Sequence, residues 1–327
     1  MNTSQGLKHK HGHMLWVGFV GAAAGAVLMI YVPSLKPVSS VLLLFAGFHL
    51  VGAAVLIASL YVMSPHGIVA RLLPTKRFRG EAGFDFGWAP AWKYGPWIAA
   101  TILGAGVIAI QVVAPAYWPI ALVLTLFAAS FFAGGLITQM TGRYEHALPP
   151  TVDLLSAADE NKVVLDAGCG AGRTSIALVR ALTKTRIVAL DRFDSGYIEG
   201  GGQRLLEQNL RRAGMGKRTQ VQVGDLTALP FPDRSFDAVV SAHAVDHLGQ
   251  LKQQGLTEIL RVLKPGGRFL LVVWVPSWAM FAIGNALALS LAPKRALRRM
   301  AANAGFVLSD EGTFNGSWFA LLQKPEA

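Results

Sequence analysis

Cysteine is almost missing from this chain. Cys169 is the only one among 327 residues. No disulfide can form within the chain, which suits a reducing compartment. Charge is scarce too: 15% of residues are charged and 53% are hydrophobic, against about 25% charged in an ordinary soluble protein. Acids are scarcer than bases, 19 against 30, leaving a net charge of +11. The sequence has no basic-aromatic recognition motif, so a nucleic-acid partner is not expected. It has no convincing metal-ligand cluster either, and His9, His11 and His13 read as a histidine-bearing flexible tail. The excess base instead suits an anionic membrane surface.

The shortage of charge is concentrated in residues 1–150. Met14–Leu35 and Tyr94–Gly142 carry no charged residue, and neither does Pro37–Ala70 with its histidines neutral. A crossing helix needs about 20 apolar residues. Ala114-Pro115-Ala116-Tyr117-Trp118-Pro119 divides the last stretch, with two prolines to break a helix and two aromatics suited to an interface. Four spans are therefore expected, near 14–32, 40–62, 96–113 and 118–138. Lys8 and Lys10, then Arg71, Lys76, Arg77, Arg79 and Lys93, then Arg143, all fall on one side of such an arrangement. The rule that basic loops stay inside puts both termini in the cytoplasm of a multi-pass inner or plasma membrane protein. The first apolar run is too long for a typical signal peptide. His49 lies inside the second span, as a neutral imidazole bonded to a neighbouring helix or as a functional group. The basic and aromatic loop Phe78–Trp97 is expected along the cytoplasmic face of the bilayer. The domain plan is a tail at 1–13, a transmembrane domain at 14–142 and a soluble domain at 143–327, with Pro149-Pro150 marking the linker.

The second half changes character. Lys162–Asp166 is a short apolar run ending in an acid, followed by Ala167-Gly168-Cys169-Gly170-Ala171-Gly172 and then a helical pattern from Arg173. This reads as strand, glycine turn and helix. Glycines let the backbone turn tightly and approach a ligand at the positive end of the helix. The spacing is D-x-G-x-G-x-G, and Arg173 stands where a dinucleotide site would have its third glycine. Asp166 would repel a pyrophosphate but tolerates the ammonium and sulfonium of S-adenosyl-L-methionine. Further strands follow. Arg186–Asp191 ends in an acid 21 residues after Gly170, Val221–Leu226 carries Gly224-Asp225, and Ser235–Ser241 is a fourth strand. A helix to Leu263 leads through Lys264-Pro265-Gly266-Gly267 into a strand over Arg268–Trp274.

In motif content and order, residues 162–274 resemble class I S-adenosylmethionine-dependent methyltransferases of the small-molecule type. The resemblance implies an α/β, Rossmann-like, seven-stranded sheet, with Gly305–Leu308 and Trp318–Gln323 as the last two strands. It implies that Asp166, Gly168 and Gly170 face the methionine portion of the cofactor, that Asp191 holds the ribose, and that Asp225 and Leu226 hold the adenine. The stretch Phe193–Gly202, with three consecutive glycines, departs from the commonest pattern. No Asn/Asp-Pro-Pro-aromatic motif follows the fourth strand, which argues against an adenine-amino DNA methyltransferase.

Methyl transfer is an in-line displacement that chiefly needs alignment. A base helps when the acceptor is a hydroxyl or a protonated amine. His243 and His247, just past the fourth strand, are the candidates, with helix capping or loop orientation as the alternative role. Trp278–Leu291 is apolar and runs into Lys294, Arg295, Arg298 and Arg299, which fits docking on an anionic leaflet or a plain core helix. The expected activity is methyl transfer to a lipid or other amphiphilic small molecule. A soluble or protein acceptor and a non-catalytic cofactor-binding protein are the other readings.

Overall fold

The computed structural model describes residues 5–62, 84–141, 161–277, 280, 285–314 and 317–326. The linker at Arg143–Pro150, the basic residues Arg71–Arg79 and, within Trp278–Leu291, residues 278–279 and 281–284 lie outside them. The chain divides into two compact units. One comprises Met1–Pro74, Pro90–Gln139 and Trp278–Leu287, and the other Thr75–Ala89, Met140–Ser277 and Ala288–Ala327.

Among the described residues, the first unit contains four long helices: α1 (Gln5–Tyr31), α2 (Lys36–Val62), α3 (Pro90–Val113) and α4 (Trp118–Thr141). Short 3₁₀ turns at Pro33–Leu35 and Pro115–Tyr117, each opened by its proline, join them in pairs. α1 starts nine residues before the expected span, so the segment read as a tail is partly helical. Gly25 of α1 lies against Leu43 of α2, where a β-carbon would come within 2.8 Å of the leucine side chain. Between α3 and α4, Trp97 meets Phe132 edge to face at 4.9 Å. Among the described residues, two segments, Pro90–Val113 and Pro115–Gly135, are long and apolar enough to cross a membrane. His49 Nδ1 lies 2.8 Å from the Phe45 carbonyl of its own helix, and its ring packs on Phe45.

The second unit is a seven-stranded sheet in the order β3-β2-β1-β4-β5-β7-β6. Its strands are β1 (Val163–Ala167), β2 (Arg186–Asp191), β3 (Thr219–Val223), β4 (Phe236–Ala242), β5 (Leu263–Val273), β6 (Val307–Phe314) and β7 (Ser317–Gln323). Strands β1 to β5 are parallel, and β7 runs antiparallel between β5 and β6. The central parallel strands β1, β2 and β4 are buried on both faces, hence their apolar runs, while the edge strand β3 alternates polar and apolar residues and is only partly buried. One face packs Leu165, Val239, Phe269 and Leu271 against α7 (Lys252–Val262) and α8 (Lys294–Ala304). Val164, Ile187, Val240 and Leu270 pack the other with α5 (Arg173–Ala181). Helix α6 (Gln203–Arg212) joins β2 to β3. β1 pairs with both β2 and β4, so the order reverses beside β1. Open α/β sheets form their ligand crevice at such a point, beyond the strand C-termini.

Two boundaries differ from expectation. Lys264–Gly267 falls within the bounds of β5, as a bulge: β4 pairs with Leu263 and next with Arg268, and Gly266 turns the chain through φ 71°. Gly305 is not in a strand: it caps α8 in the left-handed region, φ 104°, and β6 begins two residues later.

A larger difference concerns the loop expected along a bilayer. Phe84–Ala89 belongs to the sheet unit. Phe84 and Phe86 are buried among Cys169, Ala171, Ile176 and Leu205, and Arg173 stacks over the Phe86 ring at 4.6 Å. The Asn209 amide binds this strap as a second backbone would. Its oxygen accepts from the Asp85 N–H (3.1 Å) and its nitrogen donates to the carbonyls of Asp85 (2.8 Å) and Ala171 (2.9 Å). Asn209 is 1% exposed. Asn209→Ala should destabilise this unit by about 1–3 kcal/mol, because buried backbone groups of the strap lose their partners. A urea midpoint equal to that of the wild-type protein would mean that the strap adds no stability.

Candidate active site

The glycine turn is made by the end of β1 being tied to the end of β2. The amides of Gly168 and Cys169 both donate to the Leu190 carbonyl, at 2.8 and 3.0 Å. Asp191 completes the tie: Oδ2 accepts from the Gly170 N–H at 2.9 Å and Oδ1 from the Phe193 N–H at 2.8 Å. An ionised carboxylate has about four acceptor positions, so each oxygen of Asp191 keeps one for a ligand hydroxyl. Gly168 has φ 84°, and a methyl there would lie 2.1 Å from Ala244 Cβ. Any other residue would be strained and would also collide with the chain leaving β4. The turn delivers the chain to the N-terminus of α5, where free N–H groups favour partial negative charge. Burial pushes the Cys169 thiol well above its ordinary pKa, so it stays protonated and inert at neutral pH.

Asp166 is fully buried one layer below the turn. Ser175 Oγ of α5 donates to its Oδ2 at 2.5 Å, while its Oδ1 accepts no hydrogen bond from the described residues. Burial raises its pKa to about 7, partly opposed by the Ser175 hydrogen bond. A buried, half-satisfied carboxylate is costly, and a nearby cation would offset that cost. The ammonium and sulfonium of S-adenosylmethionine are such cations, so the residues fit that cofactor.

Asp225 follows β3 with its side chain 38% exposed. The Thr227 amide and hydroxyl both donate to its Oδ1, at 2.8 and 2.7 Å, and hold its pKa below the usual carboxylate value. Arg192 Nη1 lies 3.5 Å from its other oxygen. Leu226 is buried in the core beneath. Its side chain therefore anchors the loop, and its backbone remains beside Asp225.

His243 and His247 sit beyond β4, on the turn after it. His243 has φ 58°, rare for a residue with a side chain. Its ring stacks on Trp274 at 4.7 Å, with Nε2 3.4 Å from Ser317 Oγ and Nδ1 3.6 Å from Asp246 Oδ2. His247 stacks on Tyr197 at 5.0 Å, and loss of water around it lowers its pKa. The sequence reading missed Tyr197. It lies in the Phe193–Gly202 loop, its carbonyl accepts from the strap amide of Ala89, and both Asp191 and Asp246 bear on it electrostatically. A lone tyrosine in a glycine-rich loop gives no periodic signal. Among the described residues no group of three or more His, Cys, Asp or Glu is placed to hold a metal ion.

The sheet, the glycine turn and the three strand-end acids define the class. Residues 165–271 match the family model described as "Methyltransferase domain". The second unit is a class I S-adenosylmethionine-dependent methyltransferase domain, with S-adenosylmethionine as its cofactor. Among curated proteins, the sterol 24-C-methyltransferase of Eremothecium gossypii is 32% identical over 146 residues, covering 44% of this chain and 36% of that protein. The sterol 24-C-methyltransferase of Yarrowia lipolytica is 35% identical over 146 residues, covering 44% and 35%. The demethylmenaquinone methyltransferase of Clavibacter sepedonicus is 38% identical over 108 residues, covering 33% and 39%. The chain thus spans little more than a third of the length of these relatives.

The buried acid sets a pH dependence. The Asp166 pKa of about 7 lies above its ordinary value of 3.8, so folding favours the proton. This group's contribution to ligand-free stability is greatest below about pH 4 and is lost as pH rises through about 7, a change of about 2–4 kcal/mol. Asp166→Asn should flatten that decline and melt higher than wild type at pH 8, yet bind S-adenosylmethionine more weakly. Thermal unfolding at pH 5 and pH 8, with calorimetric titration of the cofactor, checks both parts.

Proposed function

We propose that the protein is a membrane-anchored methyltransferase that transfers a methyl group to a lipid or another amphiphilic acceptor. The observation that carries the anchoring is the apolar surface of the helical unit. The most hydrophobic windows of Pro90–Val113 and Pro115–Gly135 are only 17% and 33% buried. Ile102 is 66% exposed and Val113 82%. Soluble monomers rarely expose contiguous apolar surface of this kind, and a bilayer would cover it. In this reading all four helices cross the membrane, both termini and the methyltransferase domain face the cytoplasm, and the protein resides in the inner or plasma membrane. The similarity to sterol 24-C-methyltransferases supports a lipid-like acceptor.

S-adenosylmethionine supplies an electrophilic methyl group on a sulfonium. Asp166, Gly168 and Gly170 hold the methionine end, with the Asp166 carboxylate opposite positive charge. Asp191 accepts from ribose hydroxyls while still pinning Gly170, and Asp225 with Leu226 holds the adenine. On the acceptor side, His243 or His247 takes the proton released by a hydroxyl or ammonium.

Labelled methyl transfer into membrane extracts tests the acceptor. Label should enter the organic phase and fall at least tenfold in Asp166→Ala. Label confined to water or protein would refute a lipid acceptor, and no Asp166-dependent label at all would indicate a cofactor-binding protein without turnover. For topology, a C-terminal reporter fusion should be active only on the cytoplasmic side, and activity only outside would overturn the orientation.

A further inference from the structure

The loop after β2 and the turn after β4 meet in a contact that holds no part of the cofactor in the placement above. In the sheet order β1 lies between β2 and β4. Tyr197 stands on the loop leaving β2, which ends at Asp191, and His247 on the turn leaving β4, which ends at Ala242. Their rings stack at 5.0 Å with an interplanar angle of 22°, inside the range of about 4.5–7 Å over which offset aromatic rings attract. A contact between the chains leaving the two neighbours of β1 crosses the end of β1.

Both sides of the stack are seated on the glycine turn. Ile198, next to Tyr197, has Cδ1 3.1 Å from where a β-carbon of Gly170 would lie. The His247 N–H donates to the Ala244 carbonyl at 3.0 Å, and Ala244 covers Gly168. The loop backbone is fixed. Asp191 pins Phe193, and Ser195 pairs with Gly201. The Ala89 N–H of the strap donates to the Tyr197 carbonyl at 2.8 Å, and the Glu199 N–H donates to the Gly87 carbonyl at 3.2 Å. The rings are less confined than the backbone. His247 is exposed and Tyr197 half-buried, so side-chain rotation parts the stack without unfolding the loop.

We propose that the Tyr197–His247 stack is a bar across the methionine end of the cofactor site. S-adenosylmethionine passes when the rings part and is retained when they close. The proposal rests on the placement of the methionine end at Gly168 and Gly170, and needs neither the membrane anchor nor the lipid acceptor. Asp225 follows β3, which lies on the far side of β2 from β1, so the bar leaves the adenine end clear. Closure of this kind keeps water out and commits a bound substrate.

The test uses the full chain in nanodiscs of phosphatidylethanolamine and phosphatidylglycerol. Bound methyl-labelled S-adenosylmethionine is chased with excess unlabelled cofactor, which gives the release rate. Calorimetry gives the affinities for S-adenosylmethionine and for adenosine, which lacks the methionine end. Tyr197→Ala and His247→Ala should each speed release by about tenfold or more, yet weaken S-adenosylmethionine binding by no more than about threefold, because a barrier slows entry and exit alike. Tyr197→Phe and His247→Phe keep a ring and should keep slow release. The double alanine variant should release no faster than the faster single variant, since the two residues act as one contact. Adenosine affinity should match wild type in every variant. Release as slow as wild type in both alanine variants would overturn the proposal, and so would fast release in the phenylalanine variants. Faster release with an equal loss of affinity would do the same, because it marks a lost contact and not a barrier. A matching loss of adenosine affinity would reduce Tyr197 to a support for Asp191. If wild type binds adenosine as tightly as S-adenosylmethionine, the placement of the methionine end fails and the bar fails with it. Tighter binding of S-adenosylmethionine, with release indifferent to both rings, refutes the bar alone.

Discussion

The carboxylate of Asp191 is the hinge pin of the cofactor end. Its two oxygens hold the amides of Gly170 and Phe193. Through them they fix both the glycine turn and the start of the loop that carries Tyr197. The register makes this possible: Ala167 pairs with Leu190, which leaves the next residue of β2 level with the turn after β1. A group that ligands are expected to contact is therefore also the group that shapes their cradle. Binding strength and local architecture cannot be varied separately at this position.

Buried charge is the second constraint. Asp166 and Asp246 each keep one oxygen that accepts no hydrogen bond from the described residues. Cores rarely leave carboxylates in this condition, and doing so twice at one sheet edge sacrifices stability where ligands enter. The left-handed conformations of Phe193 and His243 add strain at the same edge. The centre of the sheet is tightly packed. Trp318, Phe269 and Leu165 are fully buried, and Lys324 bonds the carbonyls of Leu260 and Leu263. Stability comes from the centre of the sheet and is given up at its rim.

The parts of this fold legible in the sequence were those encoded by neighbours along the chain. Strand runs ending in Asp166, Asp191 and Asp225, and the glycine spacing after Asp166, are local patterns with a direct physical meaning. The four helices were legible as uncharged stretches, though α1 extends into charged residues because helix propagation does not stop where hydropathy does. The segment Phe84–Ala89 was not legible. Its aromatic and basic composition suits an interface, but its aromatic rings pack into a core whose other members lie about a hundred residues further on. Composition carries no record of such a partner. Likewise, Tyr197 owes its place to long-range contacts with Ala89 and His247.

The Asp85–Asn209 contact spans 124 residues and encloses α3, α4 and the first half of the sheet unit. At typical elongation rates of about 5–20 residues per second, the strap leaves the ribosome some ten seconds before its partner exists. During that interval Phe84 and Phe86 have nothing to pack against, while the two helices that follow are already being made. The strap can dock on Asn209 only after both helices have been synthesised, so closure of the methyltransferase unit comes late in the life of the nascent chain.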